Sequence, residues 1–329
     1  MKRNIVLASL LLLFGACKKD DAAKTTTSTD DNNRLLYVIE DNKFNFSQFN
    51  AALDITSLNS VLLEKGPYTV LLPDNNAFSA AGYGDVTALA QESGTVLNNM
   101  IHYHILKGTW ELDKLPYRFN QSITTLLGAQ LFVTHWVKGP DTVITINGTK
   151  VTAENLPASN GLIQVINAVM PPLLQDKISD AIAADASLTF FNTALQTAGM
   201  KDLLAGEGPF TVFAPNNTAW MNAGFPSEDS VAHTNPAVLK ALLEYQIAQD
   251  RRFIYDYVLS TDESAVSQQT MLNKNYVTIN LLPDPSGVGY SSLTITGTGN
   301  ATPCKLVKSN VLSNNGVLHI IDQMIKENF

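Results

Sequence analysis

The sequence predicts two tandem α+β domains, each a twisted β-sandwich or wedge with helices packed on it. Three observations carry that expectation. The chain has 329 residues, enough for two domains of ordinary size. It is internally duplicated. Within each copy a helical stretch leads into many short strand-like runs, the order of an α+β domain.

The duplication appears when the sequence is shifted by 142 residues. Phe49 to Phe78 then lies on Phe191 to Trp220 without a gap, and 12 of the 30 pairs are identical. Phe49/Phe191, Leu53/Leu195, Gly66/Gly208, Pro67/Pro209 and Asn75/Asn217 are among them. The end of each unit repeats at an offset of 155, where Asn160-Gly161-Leu162-Ile163-Gln164-Val165-Ile166-Asn167 matches Asn315-Gly316-Val317-Leu318-His319-Ile320-Ile321-Asp322. The second copy is therefore 13 residues longer between the two markers. Pro171-Pro172 ends regular structure at the boundary. The domains expected are 35–174 and 175–329.

Phe49 to Leu63 carries apolar residues at helical spacing. Gly66-Pro67 turns the chain into Tyr68-Thr69-Val70-Leu71-Leu72, a β-branched and aromatic run bounded by Pro73 that reads as a buried strand. Asp74-Asn75 offers a helix cap before Ala77-Phe78. Gln130 to Val137 and Thr142 to Ile146 read as strands, and Asn147-Gly148 as a hairpin turn. Asn160-Gly161 turns into one last apolar strand.

The N-terminus has its own logic. Lys2 and Arg3 precede a short apolar run from Ile5 to Phe14, then Gly15-Ala16 and Cys17. Such a run is too short to span a bilayer, so residues 1–16 read as a cleaved signal peptide. The arrangement resembles the bacterial lipoprotein signal, which implies lipidation of Cys17. Residues 17–34, rich in Thr, Ser, Asp and Asn, read as a flexible tether. Lys18-Lys19-Asp20-Asp21 resembles the surface-export signal of Bacteroidetes lipoproteins. That implies a lipid-anchored protein of the cell outer membrane, exposed at the surface. With Cys17 lipidated, Cys304 has no partner for a disulfide.

Two blocks carry a family likeness. Gly208-Pro209-Phe210-Thr211-Val212-Phe213-Ala214-Pro215-Asn216-Asn217-Thr218-Ala219-Trp220, and its counterpart Gly66 to Phe78, resemble the first signature of the fasciclin domain. The Asn-Gly-Val-Leu-His-Ile-Ile-Asp segment resembles the second. Tyr103-His104 matches the family's Tyr-His pair, while the second copy keeps Tyr245 and has Gln246 in place of the His. The resemblance implies two tandem fasciclin-like domains and a role in adhesion or extracellular binding. Its motif residues, Asn75, Tyr103, His104, Asn217, His319 and Asp322, are structural or binding candidates.

Charge and motifs narrow the chemistry. The net charge of −8 argues against nucleic acid, whose phosphates demand surplus Lys and Arg. There is no nucleophile elbow and no phosphate-binding loop, so no catalytic residue and no cofactor is expected. His102 and His104 would share one face of a strand, yet a His pair without a third ligand is a weak metal site. Packing is the favoured reading, and no metal is expected. Trp110, Tyr117, Phe119 and Trp136 in the first copy, and Arg251, Arg252, Phe253, Tyr255 and Tyr257 in the second, either form a ligand surface or fill the core. The segments from Ser260 to Asn273 and from Pro283 to Gly289 are candidate partner-facing loops.

The expected function is a non-catalytic surface lipoprotein that mediates adhesion or binds an extracellular glycan or protein. The alternative is an accessory structural subunit of a TonB-dependent outer-membrane import complex for glycans or peptides.

Overall fold

The computed structural model describes residues 31–173 and 175–328. The signal segment 1–16, Cys17 and most of the tether lie outside the described residues.

The first domain runs α1 (Leu35–Asp41), α2 (Lys43–Thr56), α3 (Asn59–Leu63), β1 (Tyr68–Pro73), α4 (Asn75–Ala80), α5 (Val86–Gln91), α6 (Gly94–Tyr103), β2 (Ile105–Lys107), β3 (Arg118–Thr124), β4 (Gln130–Lys138), β5 (Asp141–Ile146), β6 (Thr149–Ala158) and β7 (Gly161–Ile166). The second runs α7 (Ile178–Ala184), α8 (Thr189–Thr197), α9 (Lys201–Ala205), β8 (Phe210–Pro215), α10 (Asn217–Asn222), α11 (Glu228–Ala232), α12 (Pro236–Glu244), β9 (Ile247–Ala248), α13 (Ile254–Ser260), β10 (Val266–Thr270), β11 (Tyr276–Pro283), β12 (Tyr290–Thr296), β13 (Cys304–Ser313) and β14 (Gly316–Ile321).

Each domain builds one seven-stranded sheet. The orders, β2-β1-β7-β6-β5-β4-β3 and β10-β11-β12-β13-β14-β8-β9, are the same path read from opposite ends. β1 and β7 pair in parallel, as do β8 and β14. The long β6 meets β5 only through Thr149 and Lys150, then follows β7 with two register shifts. Those irregularities bend the strand and fold the sheet into the expected wedge.

The central strands β1, β8 and β14 are buried on both faces. In β1, Val70 and Leu72 face a helix-side core with Phe49, Leu53 and Ile163, while Leu71 faces a core inside the wedge with Tyr103, Leu131 and Ile146. This explains the unbroken apolar run, since a strand covered on both sides has no polar face. α2 buries Phe46, Phe49, Ala52 and Leu53 at helical spacing and stops where Ser57 turns left-handed at φ 59°. Asp74 caps α4 by accepting from the Ala77 N–H at 2.7 Å, and Asn216 caps α10 in the same way. Asn147 and Gly148 both hold positive φ, 50° and 78°, as the two-residue hairpin requires.

The glycines explain the pairing of the two signature blocks. A Cβ on Gly161 would sit 1.9 Å from the Tyr68 carbonyl oxygen, and one on Gly66 would sit 2.3 Å from that of Asn160. The blocks touch backbone to backbone, where only glycine fits.

The extra residues of the second domain are spread over three places. α13 replaces a single 3-10 turn at Leu112–Lys114. Residues 284–289 replace the tight turn between β4 and β5, and residues 297–303 replace Asn147-Gly148.

Candidate functional site: the cleft between the domains

The motif residues hold the fold. The Asn75 side chain accepts from Gln48 N–H and donates to the Phe44 carbonyl, and Asn217 does the same with Phe190 and Ala186. Asp322 accepts from Lys305 N–H at 2.7 Å. Tyr103 is buried and donates to the Gln130 carbonyl at 2.9 Å.

His104 is not on a strand. It caps the C-terminus of α6, where its Nδ1 donates to the Met100 carbonyl at 2.8 Å and its Nε2 accepts from Met170 N–H at 3.1 Å. Gln246 performs both tasks in the second domain, donating to Leu242 and Ile325 and accepting from Ile325. The reverse exchange occurs in the last strand. His319 Nε2 donates to the Arg252 carbonyl and its Nδ1 accepts from Asn310, where Gln164 binds Trp110 and Asn155. Burial lowers both imidazoles to about 4, so each is neutral. Among the described residues no cluster of three or more His, Cys, Asp or Glu could hold a metal ion. His102 turns away to bond the Asn98 carbonyl.

The aromatic residues divide. Phe253 and Tyr257 are 1% and 3% exposed, which corrects their assignment to a ligand surface. Phe253 is the N-cap of α13 and Tyr257 lies within it, and the helix is wedged between its own sheet and that of the first domain, so both of its sides are covered. Phe253 packs with Phe132 and Val317 across the domain junction, and Tyr257 packs on Phe213. Trp110 is half-buried against the first wedge core, its Nε1–H bonded to the Lys107 carbonyl. Tyr255 is half-buried with the Lys150 ammonium 5.5 Å from its ring centre.

Trp136, Phe119 and Arg252 remain partly open and line up. The Trp136 and Phe119 rings are 4.6 Å apart, and the Arg252 guanidinium lies 5.1 Å from the centre of Phe119. The stack crosses from one domain to the other at the edge of a cleft of about 680 Å³. Phe119, Asn120 and Gln130 form its first-domain wall. Lys177, Gln249, Asp250, Arg252 and Asn314 form the second. A polar hollow of about 380 Å³ adjoins it, sharing Gln249, Asp250 and Arg252 and reaching Gln268 and Gln269 of β10.

The floor of the junction is tightly bonded. Arg251 lies 3.5 Å from the centre of the Phe132 ring and donates to the Ser313 and Asn314 carbonyls. Burial lowers its guanidinium to about 10, still charged at neutral pH. Asn120 donates to the Arg251 carbonyl and to Asp256, and Lys138 donates to the Thr261 carbonyl. The rim is looser. Arg252 Nε meets Asp250 at 3.4 Å, while its Nη1, Asn120 Oδ1 and Asn314 Oδ1 are buried beneath the rim with no hydrogen-bond partner among the described residues. Gln249, Asp250, Arg252 and the Phe119 ring border one opening, an arrangement suited to holding a polar ligand.

Sequence reasoning missed Asn120, Phe132, Thr134, Lys177 and Asp256. The one signal for them is the acidic Asp256 set among apolar residues of α13, a position that demands hydrogen-bond partners.

The match to a family model coincides with the two domains. The sequence model of the fasciclin domain matches residues 44–172 and 186–327. Human periostin is 27% identical over 274 residues, spanning 83% of this chain and 30% of periostin. Transforming growth factor-beta-induced protein ig-h3 of Oryctolagus cuniculus is 24% identical over 263 residues, 79% of this chain and 35% of that protein. The chain thus spans about a third of the length of these two relatives. Protein sll1483 of Synechocystis sp. is 32% identical over 130 residues, 39% of this chain and 68% of that protein. Among solved structures, the FAS1 domain pair of the insect cell adhesion molecule fasciclin I aligns with a TM-score of 0.42 at 18% identity, covering 89% of this chain and 96% of that one. Fasciclin domains are found in cell-adhesion proteins. Two matched segments, covering most of the sequence and coinciding with the two wedges, show that the chain belongs to the fasciclin domain family as a tandem pair.

Proposed function

We propose that the protein is a non-catalytic surface lipoprotein, anchored through Cys17, whose domain pair binds an extracellular glycan or protein in the cleft. One observation carries the reading: the Trp136–Phe119–Arg252 stack beside an opening of about 680 Å³ built by both domains. Aromatic faces suit the apolar face of a sugar or a peptide side chain, and guanidinium and amide groups suit their hydroxyls and carbonyls. The adhesion proteins that carry this domain support the same reading.

Glycan and matrix-protein arrays probed with the wild type and with Arg252→Met test it. Binding that falls roughly tenfold in the variant, with unchanged thermal unfolding, supports the cleft. Equal binding by both proteins refutes it. Stoichiometric recovery of a transporter in a mild-detergent pull-down would instead make the protein an accessory subunit of an import complex. Palmitate labelling that disappears in Cys17→Ser tests the anchor.

A further inference from the structure

Away from the cleft, the second domain carries an apolar groove. α12 buries Leu239 and Leu243 in the domain core. Its outer face is apolar as well, with Ala237, Val238, Ala241 and Leu242 bordering the groove and Val238 54% exposed. A surface helix ordinarily keeps that face polar. The twin helix α6 follows the rule more closely, with Thr95 and Asn99 at the places of Ala237 and Ala241. Two polar side chains of the first domain are thus alanines in the second.

The groove holds about 660 Å³, within the range of roughly 300–1,000 Å³ typical of small-molecule sites. Met324 and Ile325, just after β14, form the opposite wall. Phe225 also lines it, its ring edge-on to the buried Trp220 at 5.1 Å. Tyr245 contributes its ring, while its hydroxyl is committed to the Tyr276 carbonyl at 2.7 Å. The wall therefore shows hydrocarbon and no free hydroxyl.

The charged lining residues are Lys326 and Glu327. Glu327 is engaged, with Asn273 and Asn275 donating to its two oxygens. The Lys326 side chain is exposed and has no hydrogen-bond or ion-pair partner among the described residues. A concave apolar groove with one available cation matches a ligand with one hydrocarbon chain and one anionic end.

We propose that the groove binds a free fatty acid, with the hydrocarbon tail along α12 and the carboxylate at Lys326. A bilayer surface fits less well, because the apolar residues line a hollow and a single cation accompanies them.

The test is calorimetric titration of the full chain carrying Cys17→Ser with octanoate, decanoate and dodecanoate below their micelle concentrations. The expected result is saturable binding of one molecule per chain, tightening about fourfold per added methylene until the groove is filled. Ala241→Phe, which fills the groove, weakens dodecanoate roughly tenfold or more. The pair Ala237→Thr with Ala241→Asn, which installs the residues of α6 at exposed positions, weakens it too while keeping the unfolding temperature. Lys326→Gln weakens dodecanoate and leaves dodecanol unchanged. Absence of saturable binding overturns the proposal. So does dodecanoate affinity that the well-folded double variant leaves intact, equal affinity for dodecylammonium, or binding seen only with phosphatidylglycerol vesicles.

Discussion

The Thr134 hydroxyl of the first domain donates a 2.9 Å hydrogen bond to the Asp256 carboxylate of the second, and that carboxylate is fully buried. Asn120 adds a second donor across the junction and Phe253 N–H a third from the N-cap of α13. A buried carboxylate needs such donors, since burial alone raises its pKa. The duplicated domains are thus joined through polar groups that neither copy could satisfy alone.

Thr134→Val removes one of these donors with little change in volume. It should lower stability by about 1.5–3 kcal/mol, the usual loss for a hydrogen bond to a charged partner. Urea unfolding reads the change directly. A loss below a few tenths of a kcal/mol would show that Asp256 is held by its other donors alone.

Gly148 tests the same junction sterically. It holds φ 78°, and a Cβ there would lie 2.7 Å from the Phe253 Cβ. Gly148→Ala should therefore cost about 1–3 kcal/mol through backbone strain and displaced packing. In calorimetry the domains should unfold less cooperatively than in the wild type. A variant with wild-type cooperativity would rule out close packing at this contact.

The Asn160 amide binds three backbone groups, accepting from Leu35 N–H and donating to the Leu62 and Glu64 carbonyls. Asn315 repeats this with Ile178, Leu204 and Gly206. Each ties the helical layer to the turn before the last strand. Asn160→Ala and Asn315→Ala should each cost about 3 kcal/mol, because buried backbone groups lose their partners. Unequal losses in the two domains would contradict the pseudo-symmetry of the staple.

These staples explain why so much of the fold was legible. Gly66-Pro67, Asp74, Asn147-Gly148 and Asn160-Gly161 act through backbone geometry, which local sequence encodes. The cleft was harder to see, because it depends on what the other domain covers. Phe253 and Tyr257 sit beside Arg251 and Arg252 in sequence and resemble an exposed binding strip, yet α13 is sandwiched between two sheets. No periodicity reports a second covered face. His102-Tyr103-His104 was misplaced on a strand for another reason. Ser93 caps α6 at 3.2 Å from Val96 N–H, and the helix runs on to Tyr103 before its short strand begins.

The two buried histidines make the stability depend on pH. His104 and His319 titrate near 4 in the fold, against about 6.5 in an unfolded chain. Between those values the unfolded chain binds more protons than the folded one. Their contribution is complete above pH 6.5 and is lost as pH falls through about 4, on the order of 3 kcal/mol for each residue. Asp256 works in the opposite sense, because its raised pKa makes the folded chain the better proton acceptor. The protein itself supplies the control, since Gln246 and Gln164 occupy the corresponding positions with equivalent hydrogen bonds. The double variant His104→Gln with His319→Gln should lose under about 1 kcal/mol at neutral pH, because each glutamine can donate and accept where the imidazole did. Below pH 6 its stability should fall much less steeply than that of the wild type. Urea unfolding from neutral pH down to about pH 4 compares the two proteins, and the carboxylates they share cancel in the difference. Parallel curves would mean that the acid sensitivity arises elsewhere, and that the two imidazoles can be protonated without opening the fold.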